Sequence, residues 1–221
     1  MGLPLEIHGS LLQGLVGASH SLNVLLHDTA REYDPAAWYP LAELTDTVAT
    51  LERYRRPGHI LPRLGMEMMR LWYDMGPGRQ LVSDGLDYLR FQSGSQGIHS
   101  VIRGTAASIG RFELLDLSEQ AGTATIYSDT PFPKPLELGV LLGGLSIGDL
   151  LAYYEAEYEP AAHLFRIRFV TDANRGTLRW QSGTPLSLAE WRLRLSYRLH
   201  TIQDEFWRAI HEKMHETPNP G

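Results

Sequence analysis

The chain has 221 residues, 43% of them hydrophobic and 21% charged, with a formal net charge of −6 and no cysteine. This is length for one domain with an appendage or for two small domains, and composition enough for a core. It excludes disulfides, thiolate chemistry and cysteine-ligated zinc or iron–sulfur clusters.

The N-terminal MGLPLEIHGSLLQG lacks a basic region ahead of an apolar run, so it reads as mature protein rather than a signal peptide. Leu11, Leu12, Leu15, Leu22, Leu25 and Leu26 recur at helical spacing within residues 7–31. Gly14 and Gly17 weaken that helix, each by about 1 kcal/mol relative to alanine. Asp34 and Pro35 match an N-cap followed by a first helical proline. After Pro40 the spacing of Leu41, Leu44, Val48 and Leu51 predicts a helix over Leu41–Tyr54. Residues 55–58 break the chain. A third helix over 60–73 carries Leu61, Leu64, Met68, Leu71 and Trp72, and Gly76-Pro77-Gly78 ends it. A fourth helical segment covers 80–91. Asp84 and Asp87 lie on it as a solvated pair.

Near Ser93 the composition turns to glycine and serine, joining a helical half to a sheet half. Residues 111–117 and 122–127 read as strands around a turn at 119–122, and the prolines of 128–135 mark a loop. The stretch from Leu136 to Val170 organises the rest. It reads as a short buried helix over 138–145, with Gly139, Gly143 and Gly144 allowing close backbone approach, followed by two antiparallel strands. Phe165, Ile167 and Phe169 alternate with Arg166 and Arg168, which places the three apolar residues in the core. A short strand is expected at 177–180. Ser187 and Glu190 form a capping box for a long helix over 188–215. Its apolar residues, Leu188, Trp191, Leu195, Leu199, Ile202, Phe206, Ile210 and Met214, step by three or four and make one stripe.

Chemistry is sparse. His211, Glu212 and His215 spell HExxH, a zinc-helix pattern, but they lie at a helix end beside the TPNPG tail, where a solvated helix terminus is the preferred reading. His99 follows a glycine-rich bend and could ligate a haem iron from a pocket wall. No GxSxG elbow, phosphate loop or GxGxxG fingerprint occurs. No basic stripe or interleaved aromatic platform offers itself to nucleic acid, and no apolar run nears the roughly 18 residues of a membrane span.

The order of parts resembles a known superfamily. Helices lead to Trp38-Tyr39-Pro40, then to the ILPRLGMEMMRLWY helix, a short helix, a strand pair, PFPKPLELGVLLGGL and a last strand pair. This is similar to the superfamily of the vinyl-4-reductase-like domain, the haem nitric-oxide/oxygen-binding (H-NOX) domain and the Bet3-like TRAPP subunits, with a related myxobacterial paralogous family. The resemblance implies an α+β fold, an N-terminal helical layer on an antiparallel sheet, with a pocket between the layers. In the haem branch the proximal histidine would be His99, and the propionate-binding YxSxR signature falls on Tyr127-Ser128-Asp129-Thr130, where the serine is displaced and the arginine missing.

The reading that results is a cytoplasmic, non-enzymatic sensory domain over 1–171, followed by a C-terminal dimerisation segment over 172–221. It would bind a small apolar ligand through Met66, Met69, Trp72, Leu89, Phe91, His99, Leu141 and Leu145, and signal as a homodimer, with a protein partner possible. No cofactor, metal, nucleic acid or membrane is expected. One alternative is a haem gas sensor using His99 and Tyr127. Another is a ligand-free dimeric adaptor.

Overall fold

The computed structural model describes residues 4–22, 24, 32–54, 60–172 and 174. The strand expected at 177–180, the helix at 188–215 and the HExxH motif lie outside them. The architecture is α+β: a helical layer, a small three-stranded sheet and a four-stranded antiparallel sheet.

The chain opens with a short strand, β1 (Glu6–His8), and runs directly into α1 (Gly9–Ser21). Asp34 and Pro35 do not begin a helix. The Asp34 carboxylate accepts the Ala36 amide at 2.9 Å and sets a turn, after which β2 (Trp38–Pro40) pairs antiparallel with β1. Next come α2 (Leu41–Tyr54) and α3 (Ile60–Met75), the latter with Pro62 in its first turn, where a missing N–H does no harm.

The segment expected as one helix over 80–91 is two, α4 (Gly78–Leu81) and α5 (Gly85–Ser93). Asp84 caps α5, accepting the amides of Leu86 and Asp87 at 2.9 Å each, while Asp87 accepts the Ser83 amide at 3.0 Å. The two carboxylates therefore hold a helix start. A 3-10 turn, Ile98–Ser100, leads to β3 (Ile102–Arg103), which pairs with β1, and to α6 (Ala106–Ile109).

The larger sheet has β4 (Phe112–Ser118), β5 (Thr123–Ser128), β6 (Tyr153–Glu159) and β7 (Leu164–Val170) in the order β4-β5-β7-β6, with α7 (Lys134–Leu145) crossing between β5 and β6. Alternation settles the face of β7. Phe165, Ile167 and Phe169 are 0%, 1% and 0% exposed, each worth about 1.5–3 kcal/mol of apolar burial. Arg166 and Arg168 point outward to Glu159 and Glu155.

The closest helix contact is α3 against α7. A Cβ built on Gly65 would lie 2.4 Å from the Leu136 carbonyl oxygen, and one on Gly139 would lie 2.1 Å from that of Pro62. No side chain fits there, so glycine permits the approach. No helix among the described residues is long and apolar enough to cross a membrane.

Candidate functional site

A cleft of about 420 Å³ opens between the helical layer and the start of the large sheet. One wall is α3, with Met68, Met69 and Trp72. Opposite stands α1, with Leu11 and Gly14. Phe91 and Gln92 of α5, the loop from Gln96 to Val101, and Leu136, Glu137 and Val140 of α7 complete it, with Phe112 and Phe132 behind. Its roominess has a local cause. Gly14 of α1 faces Met68 of α3, and a Cβ there would meet only the Met68 side chain, nearest at its methyl at an ordinary 3.6 Å. Trp72 and Phe91 stack at 5.6 Å between ring centres and form an aromatic corner.

The lining is mainly apolar. Its polar members at the rim are His8, Ser10, Gln96 and Ser100, all exposed or half-buried. Two polar side chains lie deep, Gln92 and Glu137, at 8% and 5% exposure. Glu137 belongs to a buried cluster. Lys134 donates to its carboxylate at 2.6 Å and Ser128 at 3.0 Å, and Thr130 donates to its other oxygen. The Lys134 ammonium also reaches the Ser128 hydroxyl at 2.9 Å and the Thr130 carbonyl at 3.0 Å. Burial pushes the Glu137 carboxyl above the ordinary carboxylate range, against the opposing pull of Lys134, Thr130 and Ser128. Tyr88 is fully buried nearby and donates to the Val140 carbonyl at 3.3 Å. Burial, reinforced by the Glu137 charge, pushes its phenol well up.

Of the residues singled out from the sequence, Met69, Trp72 and Phe91 line the cleft. Met66 is half-buried against the core and outside the lining. Leu89, Leu141 and Leu145 are packed into the core at 0–1% exposure. Leu141 and Leu145 sit farther round α7 than Leu136, Glu137 and Val140, so the cleft meets a different face of that helix from the one expected. His99 is half-buried; its neighbours Ile98 and Ser100 line the cleft and His99 does not. Tyr127 also lies outside the lining. Its hydroxyl donates to Asp129 at 2.9 Å and the Arg111 guanidinium covers its ring at 4.3 Å. The α1 wall and Glu137 were not foreseen. The one available signal was Glu137 itself, a lone carboxylate in an apolar helix three residues after Lys134.

Solved structures share this architecture. A haem protein studied for redox tuning through porphyrin distortion aligns with a TM-score of 0.55 at 11% identity, over 80% of this chain and 100% of its own. An oxygen-binding H-NOX domain related to soluble guanylate cyclases aligns at 0.50 and 12% identity, over the same shares. An unliganded Fe(II) H-NOX protein from K. algicida aligns at 0.51 and 11% identity, over 75% of this chain and 98% of its own. The fold is that of an H-NOX domain. By sequence, no protein-family pattern and no curated protein matches the chain.

The H-NOX fold raises the question of haem, and the residues of this cleft do not fit it. The histidine expected as iron ligand is outside the lining. Among the described residues no arginine or lysine lines the cleft to meet propionates. At the signature positions, Ser128 and Thr130 are both turned to Glu137, so a buried carboxylate holds the hydroxyls that would face an anionic group. Among the described residues no cluster of three or more histidine, aspartate or glutamate side chains could hold a metal ion.

Proposed function

We propose that this chain is a haem-independent sensory domain that takes up a small, mainly apolar molecule in the cleft between α1, α3, α5 and α7. The observation that carries the reading is the cleft itself. Its volume falls within the range of about 300–1,000 Å³ usual for small-molecule sites, and it combines an apolar lining with few polar groups. Met68 and Met69 supply a wall that adapts to ligand shape. The fold, shared with H-NOX domains, supports a sensing role by analogy alone. On the rim the His8 Nδ1 and the Ser10 hydroxyl meet at 2.8 Å, and the reading assigns this pair no catalytic step. The apolar stripe from Leu188 to Met214 supports output through a homodimer.

The test is a titration with N-phenyl-1-naphthylamine, a neutral apolar dye whose fluorescence rises on leaving water, alongside a titration with haemin. The expected result is saturable dye binding with one site per chain and no histidine-ligated Soret band. Absence of saturable dye binding would overturn the proposal. A Soret band abolished by His99→Ala would replace it with the haem reading.

A further inference from the structure

We propose that Gln92 is the recognition group of the cleft, and that the ligand is an uncharged apolar molecule bearing one amide or hydroxyl group. This rests on the cleft being a ligand site.

Gln92 is 92% buried by its 8% exposure, yet its carboxamide makes no hydrogen bond among the described residues. Its side-chain atoms are not among those sealed away without a partner, and Gln92 lines the cleft. An amide with so little access and no protein partner is poorly satisfied, since burial strips most of its hydration. A ligand group that both donates and accepts would satisfy it, because a carboxamide offers a carbonyl acceptor and an N–H donor side by side.

The rest of the cleft sets the charge of that group. Glu137, the other deep polar residue, is already met by Lys134, Ser128 and Thr130, so it is not seeking a donor. With Lys134 already on its carboxylate it offers an anionic head no partner, and among the described residues no arginine or lysine lines the cleft to supply one. A strongly cationic head would have to compete with Lys134 for Glu137. A neutral head at Gln92, with an apolar body against Trp72, Phe91 and Met69, meets neither obstacle.

The experiment displaces N-phenyl-1-naphthylamine with decanamide, decan-1-ol and decanoate, on wild type, Gln92→Leu and Gln92→Met. Wild type should take decanamide and decan-1-ol in preference to decanoate. Both variants should bind decanamide roughly three- to tenfold more weakly, the size of one hydrogen bond, while holding the dye as wild type does. They should also melt no lower than wild type, because each removes an unpaired buried polar group. Met keeps the length and flexibility of Gln, so it answers any packing objection to Leu. Equal decanamide affinity in variants and wild type would overturn the assignment while leaving the cleft reading intact. Variants that melt clearly lower would overturn it too, since they would reveal a carboxamide holding the fold together. Failure of the dye to bind wild type would overturn the cleft reading and this one with it.

Discussion

Helix α3 meets its two main helical neighbours in opposite ways. Against α7 the seam is shut by glycines: Gly65 and Gly139 would each thrust a Cβ to within 2.4 Å of a backbone oxygen. Against α1 the facing glycine, Gly14, opens the seam, because its missing side chain leaves only the Met68 side chain, nearest at 3.6 Å, and a cleft beyond. The same residue type in a helix therefore does two jobs. Which one it does depends on what stands opposite.

The comparison can be broken at the closed seam. Gly139→Ala gains about 1 kcal/mol of helix propensity but drives a Cβ to 2.1 Å from the Pro62 carbonyl oxygen. Overpacking of this kind costs about 1–3 kcal/mol or more, and a backbone neighbour yields less readily than a side chain. A net loss of about 2 kcal/mol in urea unfolding is expected. A variant as stable as wild type would mean the seam is looser than described.

A subtler effect concerns Glu137, on the wall of the open seam. The pKa of its carboxyl is raised by burial in the folded state, so the native protein holds the proton more tightly than the unfolded chain does. The corresponding stability is fully present below the ordinary carboxylate pKa and is lost as pH rises through the raised one. Glu137→Gln cannot titrate. The stability of wild type relative to this variant should therefore fall as pH rises above the ordinary carboxylate range, read from urea midpoints at several pH values. A difference that grows with pH would mean that Lys134 outweighs burial.

The two seams were unequally legible in the sequence. The large sheet announced itself through strict alternation in Phe165, Ile167 and Phe169, and the glycines of α7 pointed to close approach. Three-residue strands such as Glu6–His8 and Trp38–Pro40 are too short to show a period, so β1 and β2 passed unseen. Val82-Ser83-Asp84 interrupts the fourth helix without proline or glycine, and its cap shows only in the hydrogen bonds of Asp84. The site was harder still. Trp72 follows from the helical stripe of α3. Leucines lie all round α7, so periodicity could not say that Leu136 and Val140 face the cleft while Leu141 and Leu145 face away. Gly14 read as a weak point in a helix because its partner on α3 is known only once the helices are packed.

The most direct test of the open seam is Gly14→Leu, with Gly14→Ala as its folding control. Alanine meets ordinary van der Waals distance at this position, so the control should bind N-phenyl-1-naphthylamine like wild type and gain up to about 1 kcal/mol of stability. Leucine would project into the cleft and narrow it between α1 and α3. The expected result is a folded protein, no less stable than wild type, that has lost saturable dye binding. A folded Gly14→Leu protein that still binds the dye with wild-type affinity would place the ligand elsewhere and contradict the account.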